Sequence, residues 1–429
     1  MSNNNSIDTT EKIRATLQKR YNREARFRWY GRLAVLTGFV FLCILLVDIV
    51  IKGLPAFQQN FIEIELDLSN ELLGVTETPE KEELYKADYL SVIKDGLRNT
   101  FPDAKGRKDK RMLYRLVSLS AEYDLRDQVM DNPELVGQKK KFWLRAHSEA
   151  DSYLKGNVKA GLDELDRRIK DKQIAWLDVL RKEGRTNSRF NTQFFTAGDS
   201  REPEMAGIRS ALMGSFLTLI VTFMLSFPVG VGAAIYLEEF APRNRITDLI
   251  EININNLAAV PSIVFGLLGL AVFINFFGMP RSAPLVGGIV LSLMTLPTII
   301  ITSRAAIQSV SPSIREAAQG VGASRLQTVF HHVLPVAMPG ILTGSIIGMA
   351  QALGESAPLL MIGMVAFIMD TPSGITDPST VLPVQIYLWA DSPERGFIEK
   401  TSAAIMVLMG FLILMNAVAI YLRRRLEKK

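Results

Sequence analysis

The chain has 429 residues, is 48% hydrophobic and carries 49 Lys and Arg against 44 Asp and Glu, a net charge of +5. Its apolar residues gather into long runs, which argues against an ordinary soluble globule, and its basic excess lies mostly at the two ends, where it reads as a topology signal rather than a nucleic-acid footprint. Cys43 is the single cysteine, so no intramolecular disulfide can form.

Lys12, Arg14, Lys19, Arg20, Arg23, Arg26, Arg28 and Arg32 make residues 1–32 a basic segment, and the nearly uncharged run 33–51 follows. The run is longer than the apolar stretch of a typical signal peptide and no small-x-small cleavage site follows it, so residues 33–53 are expected to be an uncleaved membrane anchor. Asp48, near its outer end, is expected at the interface.

Residues 54–207 shift to a charged, water-soluble composition. Phe61-Ile62-Glu63-Ile64-Glu65-Leu66-Asp67-Leu68 alternates apolar with acidic residues, as a half-buried strand does. Residues 111–125 predict an amphipathic helix. A longer helix is expected on Leu154, Val158, Leu162, Leu165, Ile169, Trp176 and Leu180, ending at Gly184. Positive and negative charges nearly cancel across this segment, so it has no strong field for an anion. An α+β, mostly helical domain on the outer face, folded without disulfides, is expected.

From 208 to 425 the apolar runs return at 208–237, 252–277, 285–302, 341–368 and 402–422, and with the anchor they predict six spans. Pro228 is positioned to kink the second. A short turn at 278–284, carrying only Arg281, joins the third and fourth on the outside. Arg423, Arg424, Arg425, Lys428 and Lys429 follow the last run, so both termini are expected in the cytoplasm.

Between the fourth and fifth spans lies Glu316-Ala317-Ala318-Gln319-Gly320-Val321-Gly322, followed by Leu334-Pro335. Ser311 and Pro312 suit a helix start, and Ser313 with Glu316 has capping-box spacing, so either serine can be the cap. Ala317 and Ala318 allow close backbone approach. Gly320 and Gly322 suit a left-handed turn, and Ser324 can cap a second helix. A helix, a break and a helix on the cytoplasmic side make a socket for a partner.

Ionisable groups inside spans are costly and mark pathways or partners. Arg304 ends the fourth span; Gln351 and Glu355 lie one helical turn apart on the fifth; Glu251, Asn253, Asn255 and Asn256 open the third, near Arg243 and Arg245. Arg304, Gln351 and Glu355 are the candidate pathway residues, with interfacial anchoring the alternative for Arg304. Glu251 and the asparagines read as helix-start and interface groups. His147, His331 and His332 form no evident metal cluster, and no metal site is expected. There is no Gly-Lys-Ser/Thr phosphate loop, so the chain is not expected to hydrolyse ATP.

The spacing of Glu316, Ala317, Ala318, Gly322, Leu334 and Pro335 resembles the EAA loop of ABC importer permeases, with His332 where an aliphatic residue is usual. Asn253 to Leu267, Leu296-Pro297 and Leu353-Gly354-Glu355-Ser356-Ala357-Pro358-Leu359-Leu360 resemble the A-type permease of phosphate ABC transporters, the PstA family, with Gln351 in place of a usual arginine. The resemblance covers mainly the first anchor and residues from about 208 onward. It implies an all-α, MetI-like polytopic permease of the bacterial inner membrane, pairing with a homologous C-type permease, a cytoplasmic ATPase dimer that binds ATP and Mg, and a periplasmic phosphate-binding protein. The chain itself would carry no cofactor, and the loop within 304–340 would couple hydrolysis to transport. A permease for another oxyanion or solute is the near alternative. A membrane receptor or sensor is the distant one, and it would need an output domain after Leu422.

Overall fold

A computed structural model describes residues 5–76, 79–158, 167–365 and 367–427. The chain divides into two units, Met1–Lys52 and Gly53–Lys429. The first is the helix α1 (Asn5–Gly53), uninterrupted because no proline occurs before Pro55. Its apolar half is long enough to cross a bilayer. Asp48 pairs with Lys52 one turn on, at 2.7 Å, which suits the interfacial place expected for it.

The second unit opens with β1 (Gln58–Asp67), the predicted strand. The short helices α2 (Asn70–Leu73) and α3 (Lys81–Lys86) follow, then α4 (Tyr89–Thr100), α5 (Arg107–Tyr114), α6 (Ala121–Asp131), β2 (Lys139–Arg145), α7 (Ser148–Leu154), α8 (Asp171–Lys182), β3 (Thr186–Phe190) and α9 (Gln193–Thr196). The sheet is antiparallel in the order β2-β1-β3. Alternation does what it should: Ile62, Ile64, Leu66 and Leu68 bury completely against the helices, and Glu63 and Asp67 on the other face pair with Lys141 and Lys139 of β2.

Two helix predictions fail here. Residues 111–125 split into α5 and α6, because the segment between them is drawn to the end of β2: Ser118 N–H donates to Arg145 O at 2.9 Å and His147 N–H to Leu116 O at 3.1 Å. Tertiary ladder bonds outbid the local helix. The long helix from Leu154 to Leu180 is not continuous: Gly156 at φ +81° stops α7, and α8 starts at Asp171. Leu162 and Leu165 lie outside the described residues.

The remaining helices are α10 (Arg209–Ile235), α11 (Arg245–Ala258), α12 (Ser262–Leu268), α13 (Pro284–Gln308), α14 (Pro312–Gly320), α15 (Arg325–Thr328), α16 (Leu334–Gly354), α17 (Ala357–Met361), α18 (Leu382–Ala390) and α19 (Gly396–Glu427). Wide π-helical turns extend α10 over Tyr236–Phe240 and α12 over Gly269–Phe276, and a third, Val329–Val333, joins α15 to α16. Among the described residues five helices are long and apolar enough to span, or six if α11 and α12 form one broken span.

The third apolar run is not one helix. Pro261 lacks the N–H that a continuous helix needs, and α11 meets α12 with its π extension at 102°. α11 starts well before Ile252 because Asn244 Oδ1 accepts from the N–H groups of Ile246 and Thr247. The fifth run is also displaced: its helix spans Leu334–Gly354 rather than 341–368, and residues 362–381 contain no helix among those described.

α10, α13 and α16 pack through small residues. A Cβ on Gly344 of α16 would meet Thr302 Oγ1 of α13 at 2.1 Å, so only glycine permits that crossing. At the other end, α19 and the water-soluble part share a core of Ala56, Phe194, Ile208, Trp389, Phe397 and Ala403. Beside it a buried charge chain forms: Asp151 of α7 accepts from Asn60 of β1 and pairs with Lys155, whose Nζ lies 3.1 Å from Glu399 of α19. Burial alone would lower the Lys155 pKa, but the two carboxylates more than offset it and hold it above the ordinary value of 10.5.

Gly344→Val should therefore force α13 and α16 apart and cost about 1–3 kcal/mol, read as a lower melting temperature of the purified chain, whereas Gly232→Ala, with nothing within 4 Å of the added carbon, should not lower it. Lys155→Met should cost about 3–5 kcal/mol by leaving two buried carboxylates unpaired. Because the pKa of Lys155 is raised, its contribution is complete below pH 10.5 and is lost only as pH rises through the folded value, so Lys155→Met should remain destabilising throughout the neutral range.

Candidate functional site

The segment after α13 folds as a helical hairpin. Pro312 occupies the first turn of α14 with Ser311 at the cap position, and the Ser311 and Ser313 hydroxyls bond each other at 2.8 Å. The expected Ser313–Glu316 capping box does not form, since the helix begins one residue earlier and Ser313 lies inside it. Gly322 takes φ +91° and makes the turn, as expected, while Gly320 stays helical. Ser324 caps α15 in a reciprocal box with Gln327: Ser324 Oγ accepts Gln327 N–H at 3.2 Å, and Gln327 Oε1 accepts Ser324 N–H at 2.9 Å.

One face of the hairpin packs on the bundle. Ala318, Val329 and Val333 are buried, with Ile314 and Leu334 half-buried beside them. The other face is open: Glu316, Ala317, Pro335 and His332 are exposed, and Val321 at the tip is 85% exposed with Leu326 and Phe330 near it. His332 therefore does not need to be aliphatic, because it packs against nothing buried.

Arginines tie the hairpin and the bundle together. Arg315 of α14 donates to Glu239 Oε1 at 2.7 Å and 3.1 Å and to the carbonyls of Val310 and Ile307 at 2.7 Å and 3.0 Å. Arg304 lies one turn inside the end of α13, donates to Glu251 of α11 at 2.7 Å and stands 3.5 Å from Glu238, which also accepts from Gln308. Glu238 and Glu239 both sit on the wide turn that ends α10. Glu251 thus does more than begin a helix: it neutralises Arg304 and joins α11 to α13. Such half-buried, charge-assisted bonds are stronger than surface pairs.

The three candidate pathway residues are not one site. Gly344 marks the level of Thr302 on α16, and the ten residues from there to Gly354 rise about 15 Å away from Arg304. Gln351 is exposed near the far end of α16. Glu355 has left the helix (φ −82°, ψ 120°), so it does not share a helical face with Gln351 and the expected one-turn contact is absent. Its half-buried carboxylate has no hydrogen-bond or ion-pair partner among the described residues. Sequence reading also found no metal ligands; far from the hairpin, the fold brings His147, Glu202 and Glu204 within 4.8 Å of one another, from positions with no motif spacing.

Residues 226–429 match the family described as binding-protein-dependent transport system inner membrane component, and residues 14–164 match a domain of unknown function, DUF3333. The probable ABC transporter permease protein YqgI of Bacillus subtilis is 31% identical over 257 residues, 56% of this chain and 86% of its own length. The phosphate transport system permease protein PstA 2 of Mycobacterium bovis is 32% identical over 211 residues, 49% of this chain and 69% of its own. Among solved structures, a chain of the inward-facing MetNI methionine ABC transporter aligns over 51% of this chain and 96% of its own, at 18% identity and TM-score 0.41.

If Arg315 and Glu239 hold the hairpin, Arg315→Ala and Glu239→Ala should each speed proteolytic nicking between residues 311 and 333 several-fold. The double variant should be no worse than Arg315→Ala alone, which also loses the bonds to Val310 O and Ile307 O. Additive acceleration would mean that the two side chains act separately.

Proposed function

Because the chain belongs to the ABC importer permeases built on the binding-protein-dependent inner membrane component, we propose that it is the permease of a phosphate importer and that the hairpin 311–333 receives the stroke of a partner ATPase. It is a multi-pass inner membrane transport subunit without an ATPase site of its own. The observation that carries the coupling is the hairpin's double character: Arg315 fastens it to the end of α10, while Glu316, Ala317, Val321 and Leu326 stay open to a docked protein. A force on that open face passes through the Arg315–Glu239 salt bridge and the hydrogen bonds to the Ile307 and Val310 carbonyls into α10 and α13 rather than being lost in a loose loop. Ala318, Gly322 and Leu334 shape the hairpin, since they bury, turn or begin α16, while Pro335 joins the open face.

Phosphate is favoured by the PstA relatives. In this reading a homologous C-type permease completes the pathway, ATP and Mg bind the ATPase dimer, and a periplasmic binding protein delivers phosphate to the face that carries the water-soluble part, with both termini in the cytoplasm. ATP-driven closure then favours one of two arrangements of the spans, which is alternating access by differential binding. In this reading Glu355, whose carboxylate has no partner among the described residues, lines the anion's route at the end of α16 opposite the hairpin, and Arg304 latches α11 to α13 at the hairpin end.

Labelled-phosphate uptake into vesicles holding the assembled complex tests this. Val321→Asp and Gly322→Val should cut uptake about tenfold or more while leaving the chain inserted, because one charges the docking tip and the other strains the turn. Uptake of another oxyanion in place of phosphate would overturn the substrate, and normal uptake from both variants at normal abundance would overturn the coupling.

A further inference from the structure

Three segments remote in sequence converge where the water-soluble part meets the bundle: the start of α7 at His147 and Ser148, the approach to α10 at Glu202, Pro203 and Glu204, and the start of α19 at Gly396. They touch closely. A Cβ on Gly396 would stand 2.7 Å from Pro203 Cβ and 3.2 Å from Ser148 Cβ. Within this junction one ring nitrogen of His147 and one carboxylate oxygen from each of Glu202 and Glu204 lie within 4.8 Å of one another.

Glu204 is the telling member. It is 2% exposed; its Oε2 accepts the Ser148 N–H at 3.2 Å, and its Oε1 has no hydrogen-bond partner. A buried carboxylate oxygen with nothing to accept is costly, and such groups call for a missing ligand. The two cations nearby do not supply it. Arg145 reaches the Glu204 backbone carbonyl at 3.4 Å and Asp124 at 3.4 Å, and Lys400 Nζ donates to Ala206 O at 2.9 Å. His147 Nδ1 accepts the Glu149 N–H only at 3.3 Å, a long contact that a stronger ligand can replace.

We propose that His147, Glu202 and Glu204 bind a divalent transition-metal ion, of which zinc is the type. Imidazole nitrogen and carboxylate oxygen are both ligands it takes, and the half-exposed positions of His147 and Glu202 leave a side open for water to complete four-coordination. The ion is a structural clamp. It joins the helix that carries the Asp151–Lys155 pair to the strap that enters α10, and so fastens the water-soluble part to the bundle.

The purified full chain, stripped with chelator and titrated with Zn²⁺ and then with Co²⁺ as a spectroscopic probe, decides it. One equivalent of each should bind, Co²⁺ should show intense visible absorption of tetrahedral type, and His147→Ala and Glu202→Gln should each weaken binding by about tenfold or more. Both substitutions are at half-exposed positions, so the test does not depend on the buried Glu204 surviving change. The His331→Ala, His332→Ala double variant should bind as the parent does. No saturable binding of either ion, or binding unchanged in the His147→Ala, Glu202→Gln double variant, would overturn the site.

Discussion

A charge taken out of water must be met by another, and Lys155 shows how much of this fold obeys that one rule. Its ammonium lies between Asp151 on its own helix and Glu399 at the start of α19, and Asp151 in turn takes two hydrogen bonds from Asn60 of β1. Strand, helix and terminal span are thereby set relative to one another by a single buried group. Loss of any one partner strands a charge, so the arrangement is held in place more by the penalty of breaking it than by any surplus in forming it.

The opposite end of the bundle follows the same rule with arginine. Arg304 and Arg315 are half-buried, and each finds a carboxylate on an element distant in sequence, Glu251 and Glu239. Between these two charged ends the middle is joined by close packing and uncharged hydrogen bonding, with Gly344 against Thr302 and the Thr222 hydroxyl donating to Gly288 O at 3.3 Å across the helix pair. Small residues bring the backbones close where lipid offers no hydrophobic drive for helices to associate. The body is closely packed in its centre and ionic at its rims.

What was legible in the sequence was local. The alternation from Phe61 to Leu68, Pro312 as a helix start, Gly322 as the turn and Ser324 as a cap are each decided by a few neighbouring residues, and the structure has them all. What was not legible depended on partners elsewhere. Nothing near residues 116–118 announces that β2 will claim their backbone, and no spacing links Arg304 to Glu251, Arg315 to Glu239, or His147 to Glu202 and Glu204. The misplaced fifth span has a different cause: hydropathy continues past Gly354, but Pro358 has no N–H to donate to the Gly354 carbonyl four residues earlier, and Glu355 is left at the break with extended backbone.

The wide turn that closes α10 sets the aim of two adjacent side chains. An α-helix places successive residues about 100° apart, and a π-turn inserts one residue more before the next level is reached. Glu238 and Glu239 thus point from one turn to two separate helices, α13 and α14, which an unbroken α-helical phase would present differently. Removing a single residue from Tyr236–Phe240 would shorten the span by only about 1.5 Å. It would also rotate both carboxylates away from their arginines, so at this point the chain is far more sensitive to angular phase than to length.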